Sequence, residues 1–196
     1  PTSDTVSMQN IALALNADMA SSSDISRAYI YNGSTVVGTV LFTGSPSTWN
    51  GVTNGYYLAT TSASSLNLPQ NVQTVLTIKA DVNPVGLGQA AKSGHEIRIG
   101  LANAQGVGAS SGAAVNSGKG TQPTTGVAIF HSYPVVAASN YLPSNGVADG
   151  RVIAFTVTAN SNGPVGINQL VFKIATTSTN AISGVNLYAY TDSSFS

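Results

Sequence analysis

The chain has no cysteine, and its 196 residues include only seven Lys or Arg and seven Asp or Glu. Without thiols there is no disulfide framework and no thiolate metal site. Charge is far below the usual quarter of residues. A formal net charge of zero leaves no basic stripe, which argues against nucleic acid and anionic lipid as partners. No apolar run approaches 18 residues, so no membrane span is expected. The opening Pro1-Thr2-Ser3-Asp4 resembles neither a signal peptide nor the assembly helix of a type IV pilin. The expectation is that export signals were removed or that the sequence is an excerpt, and whether chain continues beyond Ser196 stays open.

What replaces charge is Ser, Thr, Gly and Asn, together with regularly spaced Val, Ile, Leu and Tyr at 42% hydrophobic content. That content can offset the entropy of ordering, so a folded chain is expected. Hydroxyls and amides hydrogen-bond without a net field. A surface made of them lacks the like-charge repulsion that keeps soluble proteins apart, which favours packing against copies of itself.

The dominant period is two. In 9–18, Ile11, Leu13, Leu15 and Ala17 share one face; in 26–32, Ala28 and Ile30 oppose Tyr29 and Tyr31. Asn32-Gly33 then signals a tight turn, with 35–43 as the hairpin partner. Further strands are expected at 56–59, 72–82, 94–102, 126–138, 151–160, 167–175 and 185–191, with 103–125 a long loop. No segment carries a capped 3.6-residue period. The fold class is all-β with little helix: an antiparallel β-sandwich, immunoglobulin-like, with a jelly roll as the alternative.

An internal repeat adds a constraint. At an offset of 157 residues without gaps, 10–31 lies on 167–188: Leu13 on Leu170, Ser21 on Ser178, Ile25 on Ile182, Ser26 on Ser183 and Tyr31 on Tyr188, with Leu15 on Phe172 and Ile30 on Leu187. Similar composition in two strand-turn-strand units is the alternative explanation. If the repeat is real, 1–149 forms a sandwich short of one strand. Residues 150–196 are then either part of a second copy in a tandem array or strands donated to a neighbouring subunit, giving a head-to-tail homopolymer. The assembly strand expected on this reading is Arg151, Val152, Ile153, Phe155 and Val157.

The stretches Ile25-Ser-Arg-Ala-Tyr-Ile-Tyr-Asn-Gly-Ser-Thr-Val-Val-Gly-Thr39, Val75-Leu-Thr-Ile-Lys-Ala-Asp81 and Gly94-His-Glu-Ile-Arg-Ile-Gly-Leu101 resemble secreted β-sandwich repeats of bacterial surface proteins, common in ultrasmall Patescibacteria. Arg151 to Asn160 resembles the strand that opens such a repeat. The resemblance implies an extracellular or cell-surface structural or adhesive role and supplies no catalytic residue.

Candidates for chemistry are few, and neither catalysis nor a cofactor is expected. His95 falls on the face of Ile97 and Ile99, as a satisfied sheet histidine does, and His131 next to Ser132 is poorly placed for nucleophilic catalysis because adjacent strand residues face opposite ways. No zinc-type histidine spacing exists. Asp18 and Asp24 bracket a serine-rich turn that could hold calcium, with solvated carboxylates as the default. Lys79 and Glu96, on strands expected to be neighbours, suggest a cross-strand ion pair, or a Lys-to-Asn isopeptide bond with Glu96 as promoter. Trp49, Tyr56 and Tyr57 between Asn-Gly turns suggest a sugar-stacking platform, with core packing as the alternative. Asn32-Gly33-Ser34 matches a glycosylation sequon. The leading expectation is a self-assembling filament or surface-layer subunit, and the alternative is an adhesion or carbohydrate-binding module.

Overall fold

The computed structural model describes residues 4–118, 120–123, 125–139, 152–175 and 183–191. The chain divides into two compact units, 1–131 and 132–196. The expected boundary at 149/150 lies outside the described residues.

Unit 1 is an antiparallel β-sandwich. Its strands are β1 (Val6–Asn16), β2 (Ile25–Asn32), β3 (Thr35–Val40), β4 (Ser47–Trp49), β5 (Val52–Ser62), β6 (Asn67–Leu68), β7 (Leu76–Val82), β8 (Glu96–Ile97), β9 (Ile99–Gly108), β10 (Ala114–Asn116) and β11 (Val127–Ala128). One sheet runs β10-β9-β1-β5-β4, with β6 also paired to β1; a three-stranded sheet runs β3-β2-β7, and β8 pairs with β11. A 3₁₀ turn at Ser22–Asp24 is the helical element among the described residues.

The core lies between the two larger sheets and joins Ile11, Leu13 and Leu15 of β1 to Ile25, Ala28 and Ile30 of β2 and to Val37 and Val40 of β3. Val6 and Met8 belong to the same core although their parity differs from that of Ile11. A register shift between Met8 and Asn10 against β9 makes this possible, because an extra residue in one strand reverses the alternation. The other face of β1 is covered too: Ala14 packs with Tyr56 and Ala102, flanked by Ala12 and Trp49.

The Asn50-Gly51 signal falls at a turn, whereas the expected Asn54-Gly55 turn lies inside β5. Trp49 and Val52 are paired across Asn50-Gly51, whose φ values of 51° and 82° are both positive. A two-residue hairpin loop of this hand matches the twist of the strands, and Asn-Gly tolerates it best. At the other hairpin Asn32 pairs with Thr35, so Asn32 ends β2 and Gly33-Ser34 form the loop.

Five expectations are corrected. The short stretch at 56–59 is the middle of the eleven-residue β5, whose residues from Tyr56 to Ser62 pair with β1. The supposed loop 103–125 begins with the second half of β9 and includes β10, which pairs with it. The supposed strand 126–138 is two: β11 in unit 1, and β12 (Pro134–Ala138), which pairs with β13 (Phe155–Ala159) in unit 2. No strand forms in the described parts of 167–175 and 185–191.

Asp4 closes the β9–β10 hairpin. Its carboxylate accepts from the Ser111 N–H (3.1 Å), the Ser110 N–H (3.2 Å) and the Ser111 hydroxyl (3.0 Å). The Ser111 amide above all holds this carboxyl below its ordinary value. A depressed folded-state pKa means the stabilisation is complete above the ordinary carboxylate range and is lost as pH falls through the depressed value. Acid titration is expected to release the Ser110 and Ser111 amides to hydrogen exchange before β1 loses protection. Retention of both amides until global unfolding would contradict this.

Candidate functional site

The free edge of β7 is the most distinctive surface of unit 1. β7 pairs with β2 on one side and, among the described residues, with no strand on the other. Along that side runs a groove of about 370 Å³, walled by Ile78, Ala80 and Val82 of β7 and by Ile97, Ile99 and Val127 opposite, with Ile129 also lining it. None of these side chains is charged. The alternation of β7 turns Lys79 and Asp81 to the outer face: Lys79 Nζ stands 4.9 Å from the centre of the Tyr31 ring, and Asp81 accepts the Tyr29 hydroxyl at 2.8 Å. An unpaired edge beside an apolar cleft offers backbone hydrogen bonds and side-chain pockets to an added strand.

Lys79 and Glu96 do not pair. β7 and β8 belong to different sheets, and Glu96 instead receives Arg98 Nη2 at 2.7 Å from two residues along its own chain. The Arg98 guanidinium holds the Glu96 carboxyl below its ordinary range, and Glu96 raises Arg98 in return. Neither the expected cross-strand pair nor the isopeptide arrangement has its parts in place.

His95 is tied to a buried carboxylate. Asp24 has no exposed surface, and it accepts from His95 Nδ1 (2.7 Å), the Ser21 N–H (2.6 Å) and the Lys92 N–H (3.1 Å). A carboxylate in this position accepts only, so the Nδ1 proton sits on His95. Asp24 is also the third residue of a capping box with Ser21. Its role is to fasten the start of β2 to the segment entering β8. Asp18 is solvent-exposed and apart from this cluster. His131 Nδ1 lies 2.7 Å from the Val85 carbonyl, while the Ser132 hydroxyl faces Asn160 Oδ1 (2.8 Å) and the Gly163 carbonyl (2.6 Å). Each is engaged separately. Among the described residues no three His, Asp or Glu side chains converge as a metal site would need.

The three aromatic residues are divided. Trp49 and Tyr56 meet edge to face, with centroids 4.9 Å apart and planes at 89°. Tyr56 is buried, and Tyr57 turns to the opposite side and packs on the main core. Adjacent strand residues cannot share a face, so the three rings do not form one platform. Asn32 is exposed beside its hairpin loop, an accessible position for the sequon.

Of the expected assembly strand, Phe155 and Val157 lie in β13 and are already paired with Val136 and its neighbours in β12. Val152 and Ile153 are exposed; Arg151 lies outside the described residues. Within the expected donor region 150–196, the segment 167–175 is a better candidate than 151–157. Its Ile167, Leu170, Val171, Phe172 and Ile174 are all exposed, although the Phe172 ring touches Phe155 with centroids 5.8 Å apart. The repeat marked this segment; only its exposure distinguishes it from a core strand.

Comparison with protein-family models, curated proteins and solved structures found no match to this chain.

Proposed function

We propose that the protein is a non-enzymatic extracellular structural subunit that self-associates into a filament or surface layer, with strands of the second unit completing the sandwich of a neighbouring copy. One observation carries the reading. Positions related by the repeat are buried in unit 1 and open in unit 2: Leu13 is 1% exposed and Leu170 39%, Leu15 0% and Phe172 44%, Ala28 0% and Val185 58%, Ile30 1% and Leu187 57%. A pattern fit for a core strand, left facing water, gains by burial elsewhere, at roughly 25 cal/mol for each Å² of apolar surface covered. The low charge of the chain removes long-range repulsion between copies. The extracellular setting rests on the resemblance to secreted surface repeats. Both histidines are committed to structural hydrogen bonds, which supports the non-enzymatic reading.

The test is electron microscopy and sedimentation of the purified chain beside a variant lacking residues 150–196. The full chain is expected to form polymers and the deletion variant to remain dispersed. Dispersed full-length particles, or polymers from both, would sink the reading.

A further inference from the structure

We infer that the acceptor for the donated strand is the free edge of β7, and that the donor is segment 167–175 of a second copy, running parallel to β7 with Lys173 opposite Asp81. This rests on the self-association proposed above and gives it a site and a register.

The acceptor side is fixed by geometry. Among the described residues β7 has one unpaired edge, and the cleft beside it is lined by Ile78, Ala80 and Val82 without any charged group. An added strand must therefore turn an uncharged, apolar face inward. It must also place any charge outward, in the row of Lys79 and Asp81.

Segment 167–175 meets both conditions. In extended form Leu170, Phe172 and Ile174 share one face, and Lys173, its only charged residue, falls on the other. Its apolar side chains are exposed and it is in no strand, so its backbone is not already committed to a ladder as that of β13 is. The exposed stretch 185–190 is apolar too but carries no charge, so it has nothing to offer Asp81.

Charge selects the register. Run parallel with Lys173 opposite Asp81, the segment sets Leu170 against Ile78, Phe172 against Ala80 and Ile174 against Val82. The largest side chain then faces the smallest. Run antiparallel with the same three inward positions filled, it sets Lys173 against Lys79, and like charges directly opposite one another are destabilising. Shifting that antiparallel pairing to bring Lys173 to Asp81 carries Leu170 past the end of β7. Asp81 already faces Arg27 on the β2 side and the Tyr29 hydroxyl, yet a carboxylate has acceptor capacity for a further cation. Phe172 gives up its contact with Phe155 on docking.

The absence of native cysteine makes the test direct. Two full-length variants, Asp81→Cys and Lys173→Cys, are purified reduced, mixed and oxidised. The mixed disulfide dimer is expected to exceed either self-dimer and to exceed the product of Lys173→Cys with Ser34→Cys at the β2–β3 hairpin tip. In a second arm, Lys173→Glu is expected to raise the critical concentration for assembly about fivefold, and Lys173→Arg to leave it unchanged. A mixed dimer no more abundant than the Ser34 control would overturn the assignment, as would a disulfide forming within single chains that carry both substitutions. If polymers still form in those cases, self-association stands and uses another surface; if none form, both proposals fall.

Discussion

Leu13→Ala is expected to lower the unfolding free energy of unit 1 by about 2–5 kcal/mol, while Leu170→Ala, at the same position of the repeat, shifts it by about 0.5 kcal/mol or less. Leu13 is enclosed by the sandwich, so truncation leaves a cavity as well as losing the transfer energy of the deleted carbons. Leu170 is open to water and belongs to unit 2. The only tryptophan, Trp49, lies in unit 1 and is half-buried against Tyr56, so its fluorescence during urea unfolding reads that unit. Leu170→Ala should instead weaken assembly. Should it move the Trp49 midpoint as far as Leu13→Ala does, its side chain supports the unit 1 core, contrary to its exposure.

The second large effect concerns Asp24. Asp24→Ala deprives the Ser21 N–H, the Lys92 N–H and His95 Nδ1 of their acceptor. Leaving buried donors unpaired is costlier than the net worth of the bonds, and a loss of about 3 kcal/mol is expected. Asp24→Asn keeps the shape but presents N–H donors where two acceptor oxygens are needed, so it recovers only part. Hydrogen exchange at Lys92 and the urea midpoint measure both variants. An unchanged midpoint in Asp24→Ala would show that water replaces the carboxylate without cost.

The sequence was readable where burial on one face imposes alternation. Spacing alone puts Ile11, Leu13 and Leu15 on one face and sets Ala28 and Ile30 opposite Tyr29 and Tyr31, and the structure makes those the core faces; the Asn50-Gly51 turn signal falls at the tip of the β4–β5 hairpin. It was less readable where a strand exists because its neighbour does. The ends of β5, with Asn54-Gly55 and Thr60-Thr61-Ser62, carry weak strand signals, yet Leu13, Ile11 and Asn10 of β1 pair with Ala59, Thr61 and Ser62. β9 continues through Asn103-Ala104-Gln105-Gly106 for the same reason. Gly106 is useful there: a Cβ would lie 2.7 Å from the Ser7 carbonyl oxygen, so only a residue without one allows so close an approach to β1. The Asp24–His95 link joins residues 71 apart, and the β7 groove joins strands of different sheets. Neither follows from a period of two, which fixes the face of a residue but not the strand beside it.

The position of β1 also shapes how the protein is made. β1 precedes the other described strands in sequence, yet it lies between β5 and β9 and pairs with both. The ladder with β9 cannot begin until Ile99 has been synthesised, at about 5–20 residues per second roughly 4–17 s after Asn16. Throughout that interval a strand of alternating apolar residues is without half of its final partners. Such sequence-distant pairings make folding slow and leave early strands open to wrong ones.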